Sequence, residues 1–339
     1  MKPDEKHEDH LLIVTEVTNR CNYRCPYCYQ EDKRDDLDLF SIHGISEWLS
    51  AIRNQFSEQN LEFYFTGGEA FVYKEFLDFL KIIISEDNVR WIRIDTNGSL
   101  ISRYLSILDP KKVSLMMTFH PSQTSFEKFL KEAKSVNEHG ILEMVNYVAY
   151  PFEVDTVNKY IEEFSKNGIF LNVSWNIKAI ADYNDFDWSA MSDLVTPEDT
   201  KYRTRNIVYG KPCLAGVCYV EVDLYGNIYR CRGKTNLGNL FDGKVELLKK
   251  AKPCENVYCD CTPRYCLLLE NSFPTDHHLA NYVNRNREHR RISGLENGLP
   301  EHPSRSYPKP RVPLSLNMRL GTLNMLKRLE GKLLKKQEK

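Results

Sequence analysis

The stretch LLIVTEVTNRCNYRCPYCY, residues 11–29, places an apolar strand directly before three cysteines at C-x3-C-x2-C spacing. Cys21, Cys25 and Cys28 supply three thiols, with no fourth cysteine nearby. A structural zinc site takes four protein ligands, usually as two pairs. The short spacing instead favours thiolates around one face of a [4Fe–4S] cubane, whose fourth iron keeps free positions for an external ligand.

Beyond this stretch, short apolar runs alternate with segments of helical period. Predicted strands cover residues 11–18, 61–66, 91–96, 113–120, 142–150 and 170–177. Predicted helices lie near residues 42–56, 74–86, 101–108, 125–138 and 155–166, and Gly140 is a fitting C-cap for the fourth. Strict β/α alternation predicts an α/β fold with a parallel sheet and right-handed crossovers. Six units predict a partial (β/α)6 TIM-like barrel, with reactive loops after the C-terminal strand ends.

The composition indicates a soluble, cytoplasmic protein. Its 42% hydrophobic and 12% aromatic residues are enough for a substantial core. The charged start MKPDEKHEDH and the lack of an apolar run of about 18 residues argue against a signal segment or a transmembrane helix. Because the cytosol keeps thiols reduced, ten cysteines indicate metal binding rather than disulfides.

Motifs at three successive strand ends resemble those of the radical S-adenosylmethionine (SAM) enzymes. An aromatic residue, Tyr29, follows the last cysteine of the loop, FTGGEA ends the second strand, and DTNGS ends the third. The resemblance covers about residues 11–180. It implies a [4Fe–4S] cluster on the three cysteines, with SAM chelated at the open iron. It further implies reductive cleavage of SAM to a 5′-deoxyadenosyl radical, which abstracts hydrogen from a substrate.

The resemblance also implies roles for residues at these strand ends. Gly67 and Gly68 would let the backbone approach the cofactor closely, and Glu69 would offer a carboxylate to the SAM ammonium group. The backbone at Tyr27 would meet adenine, and Tyr29 would shield the cluster. No catalytic residue is assigned beyond the cluster. Further cofactor contacts are predicted for Asn97, Thr118, His120, Asn172 and Asn176, with packing at the barrel mouth as the competing role of His120.

Seven further cysteines follow the predicted barrel: Cys213, Cys218, Cys231, Cys254, Cys259, Cys261 and Cys266. The C-x12-G-x4-C arrangement from Cys213 through Gly226 to Cys231 resembles the opening of the SPASM or twitch extension of radical SAM proteins. This resemblance implies a small Cys-rich auxiliary iron–sulfur domain. The segment VEVDLYGNIYRC itself predicts a hairpin with its turn near Gly226, which would fold Cys231 back toward Cys213.

The last four cysteines depart from the SPASM spacing and leave three solutions open. One auxiliary cluster uses four thiols, or two clusters share seven, or the second group binds zinc. We favour two auxiliary [4Fe–4S] clusters, because seven thiols are one short of eight. The first would use Cys213, Cys218, Cys231 and Cys266, and the second Cys254, Cys259 and Cys261. Asp260, His277 or His278 would supply the missing ligand of the second cluster, or one of its irons would stay open, and an exposed loop is the competing role of the paired histidines.

The C-terminal segment is a distinct electrostatic region. Residues 281–339 hold 14 Lys or Arg against 5 Asp or Glu, whereas residues 1–280 hold 32 against 42. From Leu314, leucines recur at helical spacing between basic residues. A helix docked on the acidic body, a partner-protein contact and a surface helix at anionic lipid are the competing roles. Nucleic acid is not an expected partner, because no aromatic residues interleave with the basic ones.

These features divide the chain into five predicted segments. They are an N-terminal tail (1–10), the radical SAM partial barrel (11–195), a SPASM/twitch-like auxiliary domain (196–280), a basic Pro-rich linker (281–313) and a basic amphipathic C-terminal helix (314–339). The expected substrate is a peptide, a protein or a sugar-like small molecule, with flavodoxin or ferredoxin as electron donor. The alternative is a non-catalytic iron–sulfur or zinc-binding protein for electron transfer or structure.

Overall fold

A computed structural model describes residues 10–28, 30, 37–150, 153–176, 208–231 and 234–256. Its central feature is a run of six parallel strands that follow one another both along the chain and across the sheet. The six strands are β1 (His10–Glu16), β2 (Asn60–Thr66), β3 (Val89–Thr96), β4 (Val113–Phe119), β5 (Leu142–Ala149) and β6 (Leu171–Trp175). Each predicted strand coincides with one of these, and its ends differ by at most two residues.

Four α-helices connect these strands: α1 (Ile45–Gln55), α2 (Lys74–Ile84), α3 (Phe126–Glu138) and α4 (Val154–Ser165). Helix α3 shows why the sequence forms a helix here. The Ser125 hydroxyl caps its start by accepting a hydrogen bond from the Lys128 amide, and Phe129, Ala133 and Val136 are buried along one face. The chain leaves the helix through Gly140, whose positive φ of 81° is easily adopted by glycine.

The helix predicted near residues 101–108 is wrong. The chain there forms two 3₁₀ turns, Ile101–Arg103 and Leu105–Ile107, separated by Tyr104 at φ −124°. The segment is short, and Pro110 disfavours a helical backbone at the preceding Asp109. The β/α alternation therefore lacks an α-helix between β3 and β4.

The described residues after β6 form six further strands, of which four extend the same sheet beyond β1. They are β7 (Pro212–Cys213), β8 (Tyr219–Val222), β9 (Asn227–Cys231), β10 (Lys234–Asn239), β11 (Lys244–Val245) and β12 (Lys252–Pro253). Strand β8 runs parallel to β1, and β9, β10 and β11 continue antiparallel, while β7 and β12 form a separate two-stranded sheet. The predicted hairpin is confirmed as β8 and β9, with Gly226 at φ 79° in its turn.

The two faces of the parallel sheet differ in chemistry. On one face, strand residues such as Ile13, Phe63 and Leu115 join the main apolar core with the buried side chains of α1 to α4. The alternate strand positions carry buried polar side chains, among them Glu62 and Arg93. This arrangement is consistent with an open barrel whose outer face packs on helices. In the described part of the chain, no helix has the length and apolar character to cross a membrane.

Candidate active site

The loop that carries Cys21, Cys25 and Cys28 begins where β1 ends, and backbone hydrogen bonds hold its start against the end of β2. The Gly68 amide donates to the Thr18 carbonyl over 2.7 Å, and the Glu69 amide donates to the Arg20 carbonyl over 2.9 Å. The chain is thus fixed in position up to the residue before Cys21. These two hydrogen bonds continue the parallel pairing of β1 and β2 into the cysteine loop.

The structure provides a reason for the two glycines. A Cβ atom on Gly67 would lie 2.6 Å from the Thr18 carbonyl oxygen, and one on Gly68 would lie 2.1 Å from the Arg20 carbonyl oxygen. Gly67 also has φ 126°, which side chains rarely tolerate. Because the two glycines have no side chains, the backbone from Thr18 to Arg20, which leads into the cysteine loop, can lie directly against them.

A second set of contacts, which was not predicted from the sequence, closes the base of this loop. The Asp38 carboxylate accepts hydrogen bonds from the Thr18 hydroxyl and from the Arg20 guanidinium, whose Nε lies 3.1 Å away. Thr18 and Asp38 also form an antiparallel backbone bridge, and the Leu39 amide donates to Val17 over 2.8 Å. Thr18 and Asp38 are 20 positions apart in the sequence, so local sequence patterns do not predict their pairing.

The three thiols lie close enough to influence one another electrostatically. Burial raises the pKa of Cys25 to about 12, and Cys21 and Cys28 raise it further. Burial also raises the pKa of Cys21, to which Glu69 and Cys28 add. Three thiolates this close to one another require positive charge, as the irons of a cluster would provide. Within the described residues, no three His, Cys, Asp or Glu side chains could hold a single metal ion. A [4Fe–4S] cluster takes each thiolate at a different iron.

Glu69 is fully buried and joins the ends of β2 and β3. Its carboxylate accepts from the Asn97 amide over 2.7 Å, from the Thr96 hydroxyl over 2.8 Å and from the Phe71 amide over 3.2 Å. Burial raises the pKa of Glu69 to about 7, although the three hydrogen bonds oppose this shift. The result is a carboxyl group held in one orientation near Cys21.

Asn97 links this carboxyl group to the cysteine loop. Its side-chain amide donates to the Asn22 side chain over 2.9 Å and approaches the Cys21 sulfur at 3.8 Å. Asn97 is therefore a neighbour of the first thiol as well as of Glu69. The structure brings these two predicted site residues together.

His120, at the end of β4, contacts the same loop. Its Nδ1 lies 2.7 Å from the Tyr27 hydroxyl, and the two rings are stacked with centroids 5.8 Å apart. Burial lowers the pKa of His120 to about 4, so the imidazole is neutral at physiological pH. Gln123, which the sequence analysis missed, forms two hydrogen bonds with the Arg24 backbone, at 2.9 and 3.1 Å.

The other predicted cofactor contacts lie on β4 to β6. Thr118 pairs with Asn146 across β4 and β5, and Asn146 pairs with Asn172 on β6. The side-chain amide of Asn172 donates to the Asn146 side-chain oxygen over 2.8 Å. The backbone amide of Asn176 donates to the Ala149 carbonyl over 2.9 Å. These described contacts link Asn172 and Asn176 to β5. The predicted residues outside the described part of the chain are Tyr29, Asp260, Cys259, Cys261, Cys266, His277 and His278.

A second group of cysteines surrounds a small apolar cluster beside β1. Cys213 and Cys218 are buried in it, and Cys231 and Cys254 pack against it. Burial raises the pKa of Cys213, and the neighbouring Cys254 raises it further. The pKa of Cys218 is raised by burial and by Cys213. Cys254 was predicted to share a cluster with Cys259 and Cys261, whereas in the structure it lies beside Cys213.

Comparison with known proteins agrees with this geometry. Residues 15–162 match the family model of the radical SAM superfamily. An uncharacterized protein of Methanocaldococcus jannaschii is 25% identical, in a match covering 72% of this chain and 94% of that protein. The GTP 3′,8-cyclase of Haemophilus influenzae is 27% identical, in a match covering 33% of each chain. The chain thus aligns with about a third of that cyclase.

Two solved structures are also similar. One, anSMEcpe with bound AdoMet and Kp18Cys peptide, has 16% identity and a TM-score of 0.46, over 68% of this chain and 78% of that chain. The other, Streptococcus suis SuiB bound to S-adenosylmethionine, has 18% identity and a TM-score of 0.45, over 70% and 65%. The family match assigns residues 15–162 to the radical SAM superfamily, which is a superfamily of enzymes. Membership of this superfamily implies a [4Fe–4S] cluster and SAM.

Proposed function

We propose that Cys21, Cys25 and Cys28 hold a [4Fe–4S] cluster whose open iron binds the amino and carboxylate groups of SAM. The observation that carries the proposal is the position of the three-cysteine loop beside the buried carboxyl group of Glu69, which Asn97 joins to Cys21. The cluster, when bound, supplies the electron that cleaves SAM to methionine and a 5′-deoxyadenosyl radical, which takes a hydrogen atom from substrate. The chain itself positions the reactants and excludes water.

Each residue near the thiols has a proposed share in that positioning. Glu69, held by Thr96 and Asn97, would receive the ammonium group of SAM with one of its remaining lone pairs. The backbone at Tyr27 would meet adenine, and the contact with His120 would hold Tyr27 in place. The proposed SAM contacts of Gly67, Gly68, Thr118, Asn172, Asn176 and Tyr29 remain predictions.

The second group of cysteines supports an auxiliary iron–sulfur cluster. Cys213, Cys218, Cys231 and Cys254 adjoin one apolar cluster, and a [4Fe–4S] cluster takes four thiolates. We therefore assign these four thiols to one auxiliary site and replace Cys266 by Cys254 in the ligand set. The three other cysteines would hold a second, incompletely ligated cluster.

The proposed substrate is a peptide, a protein or a sugar-like small molecule, and flavodoxin or ferredoxin is the proposed electron donor. GTP joins the substrates to be tested, because the relative from Haemophilus influenzae is named GTP 3′,8-cyclase. A deuterated substrate that transfers its label to 5′-deoxyadenosine would identify the hydrogen that is abstracted. The non-catalytic alternative is not favoured, since residues 15–162 match the radical SAM superfamily.

The catalytic proposal is tested by purifying the protein without air, reconstituting its clusters, reducing it with dithionite and adding SAM. We expect 5′-deoxyadenosine to form. The Cys28→Ala variant should form none, whereas Cys259→Ala should retain the SAM-binding cluster by iron analysis and EPR. If protein with intact clusters forms no 5′-deoxyadenosine, the proposed activity is wrong. Equal loss of every cluster in both variants would contradict independent sites.

A further inference from the structure

Arg230 is a buried arginine next to a proposed auxiliary ligand. It lies on β9, directly before Cys231, and only 5% of its side chain is exposed. Arginine is almost never fully buried unless its charge is paired and its N–H groups have acceptors. The position of Arg230 therefore calls for a specific explanation.

All five N–H groups of the Arg230 guanidinium can be matched to an acceptor. Nε donates one hydrogen bond, and Nη1 and Nη2 each reach two acceptors, which accounts for the five donors of the group. The acceptors are the carbonyl oxygens of Ala215 (2.9 Å), Pro253 (2.7 Å), Lys252 (2.7 Å) and Cys213 (3.4 Å), and the carboxylate of Glu255 (3.4 Å).

These acceptors belong to the segments that carry the other three cysteines. Cys213 ends β7, Ala215 lies in the loop between Cys213 and Cys218, and Pro253 directly precedes Cys254. Since Cys231 follows Arg230 itself, one side chain connects every segment of the four-cysteine site. The contacts go mostly to backbone carbonyls, so they specify the path of the main chain.

Gly216 makes room for the stem of this arginine. A Cβ atom on Gly216 would lie 3.1 Å from Cγ of Arg230 and 2.9 Å from Cδ1 of Leu248, and its φ of 89° also favours glycine. Gly216 stands between Cys213 and Cys218. A glycine at position 216 thus leaves room for the Arg230 side chain to cross the loop.

The charge of Arg230 is significant as well as its shape. The guanidinium is a buried positive charge on the residue directly before the proposed ligand Cys231. Its partner Glu255 is partly exposed, with 46% of the side chain accessible, and compensates the positive charge incompletely. The reduction potential of an iron–sulfur cluster depends on the net charge around it. A buried cation should make such a cluster easier to reduce.

We propose that Arg230 is a positioning residue for the auxiliary site: it organises the segments that carry Cys213, Cys218, Cys231 and Cys254, and its charge raises the potential of the cluster they hold. This inference rests on the proposed auxiliary cluster. It assigns the guanidinium two separable tasks. Its hydrogen bonds govern occupancy of the site, and its charge governs the potential.

The test compares Arg230→Gln, which removes the charge, with Arg230→Lys, which keeps the charge but loses the five-donor fork. Iron analysis and EPR-monitored redox titration are performed on the full chain in the Cys21→Ala, Cys25→Ala, Cys28→Ala background, where auxiliary iron is measured alone. We expect Arg230→Gln to lower the potential. Arg230→Lys should keep the potential near that of the background protein and lose auxiliary iron. Exposed Arg90→Gln is the matched control and should change neither quantity.

The release of iron to a chelator measures how firmly the site holds its cluster. In the background protein, the iron that Cys213→Ala removes defines the four-cysteine site. Both Arg230 variants should hold this iron about 10–100-fold more weakly, as is typical when a group that orients ligands is removed. Unchanged iron retention together with an unchanged potential in Arg230→Gln would overturn the inference.

Glu255→Gln provides a milder variant if the Arg230 variants do not fold. Removing this partly exposed carboxylate leaves the guanidinium in place, so the site should stay occupied and the potential should rise. A fall in potential would contradict the assigned role of the charge. Failure of the auxiliary cluster itself is recognised separately, because the background protein would then contain no iron that Cys213→Ala removes.

Discussion

At the scale of single residues, the site depends on a few groups with little freedom to change. Glu69 is buried and accepts three hydrogen bonds from the protein. Gly67 and Gly68 lie against the backbone of Thr18 and Arg20 with no space for a side chain. The motif of two glycines and a glutamate is therefore a structural joint between β2, β3 and the cysteine loop, as well as the proposed contact with SAM.

The raised pKa of Glu69 predicts a pH dependence of stability. The folded carboxyl group titrates at about 7 against an ordinary 4.5, so the folded state binds more protons within this window. Stability should fall as pH rises from 4.5 to 7, by about 3 kcal/mol for this group. Urea denaturation of metal-free protein at pH 5 and pH 8 should show a smaller fall for Glu69→Gln. The exposed control Glu58→Gln should follow the wild type, and an identical slope in Glu69→Gln would contradict the prediction.

Gly68→Ala should damage the cysteine loop directly. The added methyl group would lie 2.1 Å from the Arg20 carbonyl oxygen, so the loop backbone must shift. We expect a loss of about 1–3 kcal/mol in the free energy of unfolding, as for other overpacked sites, and poor iron loading. At Gly44 the nearest atom to an added Cβ is 3.9 Å away, so Gly44→Ala is the control. Normal iron loading of Gly68→Ala would show that the close contact is relieved elsewhere.

At the scale of elements, loops after different strands hold the cysteine loop from several sides. The end of β2 pairs with its start, Asn97 after β3 contacts Cys21, and His120 and Gln123 after β4 contact Tyr27 and Arg24. All these contacts lie at one edge of the sheet, because parallel strands end on the same side. The loop is thereby oriented by elements that are themselves packed on the core.

Asp38 tests how much the base of the loop matters. Asp38→Asn removes the ion pair with Arg20 and weakens the bond from Thr18 in a buried setting. We expect a loss of about 1–3 kcal/mol in urea denaturation and faster release of cluster iron to a chelator. Asp78→Asn breaks the exposed ion pair with Lys81 and should cost at most about 1 kcal/mol. Equal effects of the two substitutions would deny a special role to Asp38.

At the scale of the whole molecule, one sheet contains both the parallel barrel strands and the antiparallel strands that follow them. Tyr219–Val222 pairs with β1 along Leu12 to Thr15, so strands of the segment predicted as a separate auxiliary domain continue the barrel sheet beyond β1. This pairing also places the four-cysteine site beside β1, the strand that leads into the SAM-cluster loop. The two proposed iron–sulfur sites share a structural element.

A truncated chain tests this continuity. Ending the chain at residue 176 removes β8 and leaves the β1 edge without its partner. Because unpaired strand edges promote association, we expect this chain to aggregate in size-exclusion chromatography. A chain that ends at residue 256 keeps every described strand and should remain monodisperse. A monodisperse, folded 1–176 fragment would show that the barrel strands do not need β8.

The amino-acid sequence alone determined the six strands, four of the five predicted helices, the hairpin at Gly226 and the thiols of the first loop, because each depends on residues close in sequence. Tertiary structure decided the rest. The segment of the predicted third helix forms two 3₁₀ turns. Asp38 forms hydrogen bonds with Thr18 and Arg20, and Cys254 lies beside Cys213. Arg230 likewise donates hydrogen bonds to backbone carbonyls at positions 213–215 and 252–253. Such contacts join residues distant along the chain, and only the folded backbone brings them within hydrogen-bonding distance.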